Sequence, residues 1–136
     1  MNLLKSDVLI ALQKALDGSS ARQSAIANNI ANVNTPGYKR KEVSFENELK
    51  IALNKSGNLG LARTHHEHIH QHPVLLEIKP RVLQNNSQSM RPDKNNVDLD
   101  QEMTKMAANS IYYNSLISQL NKRIGLLKHT ISEGRR

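Results

Sequence analysis

The chain has 136 residues, enough for one domain, but only 3% of them are aromatic, which argues against a large self-sufficient core. Its formal net charge is +7, yet the basic residues are scattered and no aromatic side chains interleave with them, so a solvated surface or an acidic protein partner is favoured over nucleic acid. Cysteine is absent, which excludes disulfides, thiol chemistry and Cys-based zinc sites.

The first predicted element is a helix over residues 1–33. Gly18 falls inside it, and because glycine costs about 1 kcal/mol against alanine in a helix interior, we expect a weak point or a kink there. The segment has neither the pattern of a cleaved signal peptide nor an apolar run near 18 residues, so we expect a chain that stays in the cytoplasm or is exported without a cleaved peptide. Its apolar ladder has polar residues at two rungs: Leu9, Leu12, Leu16, Ser19, Gln23, Ile26, Ile30 and Val33.

The helix is predicted to end in a tight turn that is rich in amide side chains. Pro36 presets φ for the first central position of a type II turn, and Gly37 supplies the positive φ of the second. Amides both donate and accept hydrogen bonds, so they suit a helix end that is buried against protein. The predicted assembly residues of this segment are Asn28, Asn29, Asn32, Asn34, Pro36, Gly37 and Tyr38.

The middle of the chain is predicted to be small and irregular. Residues 34–60 contain the turn and an arm, residues 61–83 form a short β or irregular region, and residues 84–97 form a flexible linker. A histidine run lies in this middle, and in a strand four of its members would share one face and could bind zinc, nickel or copper: His66, His68, His70 and His72. A straight strand does not provide a tetrahedral site, so we interpret these histidines as solvated, predict no metal or cofactor, and keep metal binding as the alternative.

The last predicted element is a helix and tail over residues 98–136. Asp98 is its predicted N-cap, and Asp100 and Glu102 complement the dipole of its first turn, which explains these acids without a calcium site. Asn109, Asn114, Ser115 and Gln119 are assigned to its exposed face. An apolar heptad ladder runs on to Ile131, with one polar rung at Ser110, and its other members are predicted to be an assembly seam: Leu99, Met103, Met106, Tyr113, Ile117, Leu120, Ile124 and Leu127.

These elements predict a mainly α fold, in which long N- and C-terminal helices pair as a coiled coil around a small irregular or β middle segment. The chain has too little other apolar material to cover two long apolar stripes. Helices that pair with each other, and then with copies of themselves, would solve that problem.

Residues 27–39 read Ala-Asn-Asn-Ile-Ala-Asn-Val-Asn-Thr-Pro-Gly-Tyr-Lys, which resembles the N-terminal signature of the bacterial flagellar axial proteins. The chain is also as short as the small rod proteins of that family. Four further segments resemble those proteins: residues 43–46, 61–64, 68–69 and 96–103. The resemblance implies a non-enzymatic structural subunit of the basal-body rod, which is exported by the flagellar type III apparatus and transmits torque in the periplasm. The implied partners are copies of itself, other rod proteins, and ring, adaptor and export-gate proteins, with no membrane insertion.

Two rival functions remain open on the residues alone. One is a small basic helical protein that binds nucleic acid, although the polar amides on the C-terminal helix do not suit a basic face. The other is a histidine-rich metal-binding protein. Neither rival predicts an enzyme, and no catalytic motif is found.

Overall fold

The computed structural model describes residues 7–56, 78–87, 89 and 91–133. Its elements in chain order are α1 (Asp7–Ala31), β1 (Lys41–Ser44), α2 (Glu46–Ser56), β2 (Arg81–Gln84) and α3 (Leu99–Glu133). Two long terminal helices therefore enclose a small β segment, which confirms the predicted mainly α fold class.

The two long helices pack side by side and antiparallel. Ser19 of α1 contacts Asn109 of α3, and Asn29, ten residues later in α1, contacts Glu102, seven residues earlier in α3. Asp98 is the N-cap of α3, as predicted, because its Oδ1 accepts the backbone N–H of Asp100 at 3.0 Å. The start of one long helix is thus fixed close to the end of the other.

Gly18 lies within an unbroken α1, so the interruption that we expected there is not found. A Cβ at this position would lie 2.4 Å from Cδ1 of Phe45 and 2.7 Å from Cγ and Cε1. Glycine therefore leaves the space in which the Phe45 ring rests on the helix. The packing of this ring therefore explains why a residue of weak helix propensity lies inside α1.

The apolar core lies where α1, α2 and the middle of α3 meet. Its central ring is Phe45, which is 1% exposed, and Leu116 of α3 packs against the cluster from the other long helix. The remaining buried members are small or aliphatic: Ala15, Leu49, Ala52 and Ile78. A core of this size agrees with the low aromatic content of the chain.

The sheet has two antiparallel strands, β1 and β2, with Lys41 opposite Gln84 and Ser44 opposite Arg81. Strand β1 also packs against α1. Residues 81–84 are therefore joined to α1 through β1, and all four of them are exposed. Residues 57–77, which include the histidine run, lie outside the described residues.

Candidate assembly interface

The chain leaves α1 through the predicted turn. The backbone N–H of Tyr38 donates to the carbonyl of Thr35 at 3.3 Å, so Pro36 and Gly37 occupy the two central positions. Gly37 has a φ of 71°, as the second central position of a type II turn requires. Its N–H donates to the carbonyl of Asp93 at 2.7 Å, which ties the turn to the segment before α3.

The four asparagines near this turn have different roles. Asn28 donates to the carbonyl of Ser24 at 2.9 Å, and Asn32 donates to the carbonyl of Asn28 at 2.8 Å, so both bond back to their own helix. Asn34 is exposed, whereas Asn29 is fully buried. The interpretation that amides serve a buried helix end therefore fits Asn29 best.

Asn29 is the centre of a polar cluster that joins α1, β1 and α3. Its Oδ1 accepts the N–H of Lys41 at 2.8 Å and the hydroxyl of Tyr38 at 3.3 Å. Its Nδ2 donates to the carbonyl of Lys41 and to Oε2 of Glu102, both at 2.8 Å. Because both oxygen and nitrogen of this one amide are used, the C-terminal half of α1 is fixed to two other elements at once.

Glu102 is 1% exposed, although its position in the first turn of α3 had suggested only a dipole role. Its Oε1 accepts from Nζ of Lys105 at 3.1 Å, which gives the buried carboxylate a cationic partner in addition to the Asn29 amide. Burial, and secondarily the negative charge of Glu102, raises the pKa of the Tyr38 hydroxyl above its usual value. In this environment the Tyr38 hydroxyl donates a hydrogen bond to Asn29.

Asn95 closes the end of α1, and we did not predict this role from the sequence. It is fully buried, and its Nδ2 lies 2.9 Å from the carbonyl of Asn32 and 3.0 Å from those of Val33 and Thr35. Its Oδ1 accepts the N–H of Val97 at 2.8 Å. Carbonyls at and beyond a helix C-terminus need such donors, so this residue caps α1 from a distant part of the chain.

A second polar contact joins the long helices near their middle. Oγ of Ser19 donates to Oδ1 of Asn109 at 3.0 Å. Nδ2 of Asn109 donates to the carbonyl of Ser19 at 3.0 Å and to Oε1 of Gln23 at 2.8 Å. Asn109 is only 4% exposed, so its assignment to the outer face of α3 was wrong. Ser19 and Gln23, the polar rungs of the α1 ladder, therefore both face Asn109. Their positions in an otherwise apolar ladder could have indicated a polar partner on another element.

The predicted ladder on α3 lies beside the stripe that contacts α1. Glu102 and Asn109 are buried, and Leu116 packs on the core; each stands one position before a ladder rung. Several apolar rungs remain exposed to 39–69%, namely Leu99, Met103, Tyr113, Ile124 and Ile131. The others are partly buried, namely Met106, Ile117, Leu120 and Leu127. The single chain thus leaves much of the ladder uncovered, and its role as a seam stays a prediction.

No metal site is found in the described part of the chain, where no cluster of three or more histidine and acidic side chains could hold an ion. The candidate ligands His66, His68, His70 and His72 lie outside that part. None of the described helices is long and apolar enough to cross a membrane.

Comparison with known proteins gives consistent matches. The family model described as flagella basal body rod protein matches residues 9–39, which cover most of α1 and the turn. The flagellar basal body rod protein FlgB of Bacillus subtilis is 34% identical over 91% of this chain and 92% of its own length. FlgB of Borrelia hermsii is 38% identical over 83% of this chain and 86% of its own length. FlgB of Escherichia coli is 32% identical over 90% of this chain and 91% of its own length.

Proposed function

The chain belongs to the FlgB family of flagellar basal body rod proteins, and from that membership we propose how it is built into the rod. It is a structural subunit of the flagellar basal body rod. In our proposal, the paired helices α1 and α3 form the body of each subunit. The heptad ladder of α3 then packs against a second copy of the chain or a neighbouring rod protein.

The observation that supports this proposal is the division of α3 into two stripes. One stripe is used within the chain, because Asn109 is buried against α1 and Leu116 packs on the core. The adjacent stripe carries apolar rungs with no cover in the single chain, among them Met103 at 57% and Ile124 at 51% exposure. A heptad repeat of this kind is suited to packing against another helix.

The turn and the Asn29 cluster have a supporting part in this proposal. They join α1, β1 and the start of α3 through buried and part-buried hydrogen bonds, so the two long helices are held as one unit. Torque would then pass through many buried contacts within and between subunits. The turn residues Pro36 and Gly37 are proposed as assembly residues because they shape this junction.

We further propose that the flagellar type III apparatus exports the chain, and that it assembles in the periplasm. Its neighbours would include other rod proteins and the ring, adaptor and export-gate proteins at the rod base, with no membrane insertion and no enzymatic activity. The names of the relatives give no support to the nucleic-acid-binding or histidine-rich metal-binding alternatives.

The experiment compares two isoleucines of α3 that are both exposed. Ile124 is on the ladder and is 51% exposed, whereas Ile111 is off the ladder and is 70% exposed. Ile124→Asp should prevent swimming and the recovery of basal bodies with complete rods, because a carboxylate would be buried without a partner at about 3–5 kcal/mol in each copy. Ile111→Asp and Gln119→Glu should have much milder effects.

Protein level and delivery to the export apparatus are measured in the same strains, so that loss of the protein is separated from loss of assembly. Because Ile124 is exposed in the single chain, its substitution should leave the fold intact. Normal rods in the Ile124→Asp strain would refute the ladder as a seam.

A further inference from the structure

The sheet is a ribbon of two short strands, and its two edges differ. On the outer edge of β1, the N–H and the carbonyl of Lys41 both bond to the Asn29 amide at 2.8 Å, so α1 closes this edge. On its other side β1 pairs with β2, and the described part of the chain supplies no third strand beyond β2. The outer edge of β2 is therefore the open edge of the ribbon.

The strand register shows which backbone groups this open edge offers. Along an antiparallel strand, successive residues direct their N–H and carbonyl alternately toward the partner strand and away from it, and directly opposite residues do so together. Lys41 directs both groups toward Asn29 and away from β2, and it lies opposite Gln84. Gln84 and Val82 therefore direct their N–H and carbonyl groups outward from β2. The open edge thus offers two donors and two acceptors at the spacing that an added strand uses.

The side chains on both faces of β2 are also uncovered. Val82 is 57% exposed on one face of the ribbon, and Leu83 is 53% exposed on the other. A two-stranded ribbon is only marginally stable in water. A third strand would cover both apolar side chains and would pair the outward backbone groups at the same time.

The charges beside this edge select among possible strands. Lys79 and Arg81 are exposed, residues 78–87 contain no acidic side chain, and neither cation forms an ion pair with a described residue. A second copy that paired its own β2 with this edge would bring like charges together, which disfavours such a pair. An acidic strand would be attracted instead.

We propose that the outer edge of β2 binds an extended segment of a neighbouring protein in which apolar residues alternate with acidic ones. Its backbone pairs with Val82 and Gln84. Its apolar side chains lie on the face of Val82, and its carboxylates lie on the other face beside Arg81. This surface is separate from the α3 ladder, so it adds a second contact to the proposed seam.

The probe is a synthetic decapeptide in which valine alternates with glutamate, and its control carries lysine in place of glutamate. Binding to the full chain is measured by fluorescence anisotropy, and hydrogen exchange is followed at the N–H groups of Val82 and Gln84. The glutamate peptide should bind and slow both exchanges. The lysine peptide should bind about tenfold more weakly or less, because like charges would then face Arg81. Equal binding of the two peptides, or binding of neither, would overturn the proposal.

Two substitutions test the backbone and the charge separately. Val82→Pro removes an outward N–H but none of the bonds to β1, so it should weaken binding of the glutamate peptide about tenfold, as expected for one lost hydrogen bond. Val82→Thr keeps this N–H and the branched shape, so it is the matched control and should bind as the parent does. Arg81→Glu should weaken the glutamate peptide and strengthen the lysine peptide. Equal binding by the proline and threonine variants, or no effect of Arg81→Glu, would contradict the proposal.

The occupant is identified in cells that assemble basal bodies. A photo-activated cross-linking amino acid at the exposed position Gln84 should be joined to an acidic segment of another protein in purified basal bodies. A cross-link to β2 of a second copy, or to residues 57–77 of the same chain, would overturn the proposal. None of these changes touches α3, so this proposal can fail while the seam stands, and the reverse.

Discussion

Replacing Gly18 by alanine separates helix propensity from packing, and the two make opposite predictions. Propensity alone predicts that Gly18→Ala stabilises α1 by about 1 kcal/mol. The structure predicts a loss, because the new Cβ would lie 2.4 Å from Cδ1 of Phe45, well inside contact distance. The ring is 1% exposed and surrounded by the core, so it has little room to move. Overpacking of this kind costs about 1–3 kcal/mol.

We therefore expect a net destabilisation of up to about 2 kcal/mol, measured as the free energy of unfolding in urea. Ser20→Ala, at an exposed position of the same helix, is the control and should be neutral or slightly stabilising. The double variant Gly18→Ala with Phe45→Leu should lose less than the sum of the two single variants, because a smaller side chain relieves the overlap. If Gly18→Ala raised the free energy of unfolding by about 1 kcal/mol, the contact between ring and helix would be refuted.

Three further outcomes are expected. Asn95→Asp should lower the free energy of unfolding by at least about 1–3 kcal/mol, because it places a carboxylate among three carbonyls, while exposed Asn86→Asp should change it little. As the pH rises above about 10, the parent should lose more stability than Tyr38→Phe, since the unfolded tyrosine ionises near pH 10 while burial and then Glu102 raise the folded pKa of Tyr38; equal losses in urea titrations would contradict this. Replacing the histidines at 65, 66, 70 and 72 by glutamine should leave swimming intact, and non-motile cells that export the variant normally would show the run to be functional.

Rules about residues close together in the sequence predicted the helices, the helix cap and the turn, because each of these depends on neighbouring residues. The three/four ladder and the heptad ladder depend on residues within one turn of each other, so they identify α1 and α3 without knowledge of the fold. The same holds for the N-cap at Asp98 and for the turn at Pro36 and Gly37, where the backbone conformation is set by the residue itself.

Local rules did not predict the partners of the buried polar groups. Asn95 bonds to carbonyls about 60 residues away in sequence, and Glu102 bonds to an amide 73 residues away. No spacing rule connects such positions, because they meet only when α1 and α3 pack together. Composition alone therefore described residues 84–97 as a polar linker, although Asn95 in that segment is fully buried.

Two residues carried a signal that could have been interpreted further. Ser19 and Gln23 interrupt an otherwise apolar ladder, and a buried polar rung needs a polar partner. Searching the other long helix for an amide at a heptad-related position would have led to Asn109. Gly18 carried a weaker signal, because the ring that rests on it belongs to a different element.

The central claim is that the outer ladder of α3 contacts a neighbouring subunit in the rod. The direct test is a photo-activated cross-linking amino acid placed at Ile124, and separately at Ile111, in cells that assemble basal bodies. After irradiation and purification of the basal bodies, mass spectrometry identifies the residues that are joined. We predict that Ile124 is joined to a helix of a second copy or of another rod protein. Cross-links from Ile111 to a neighbouring subunit with none from Ile124 would contradict the claim.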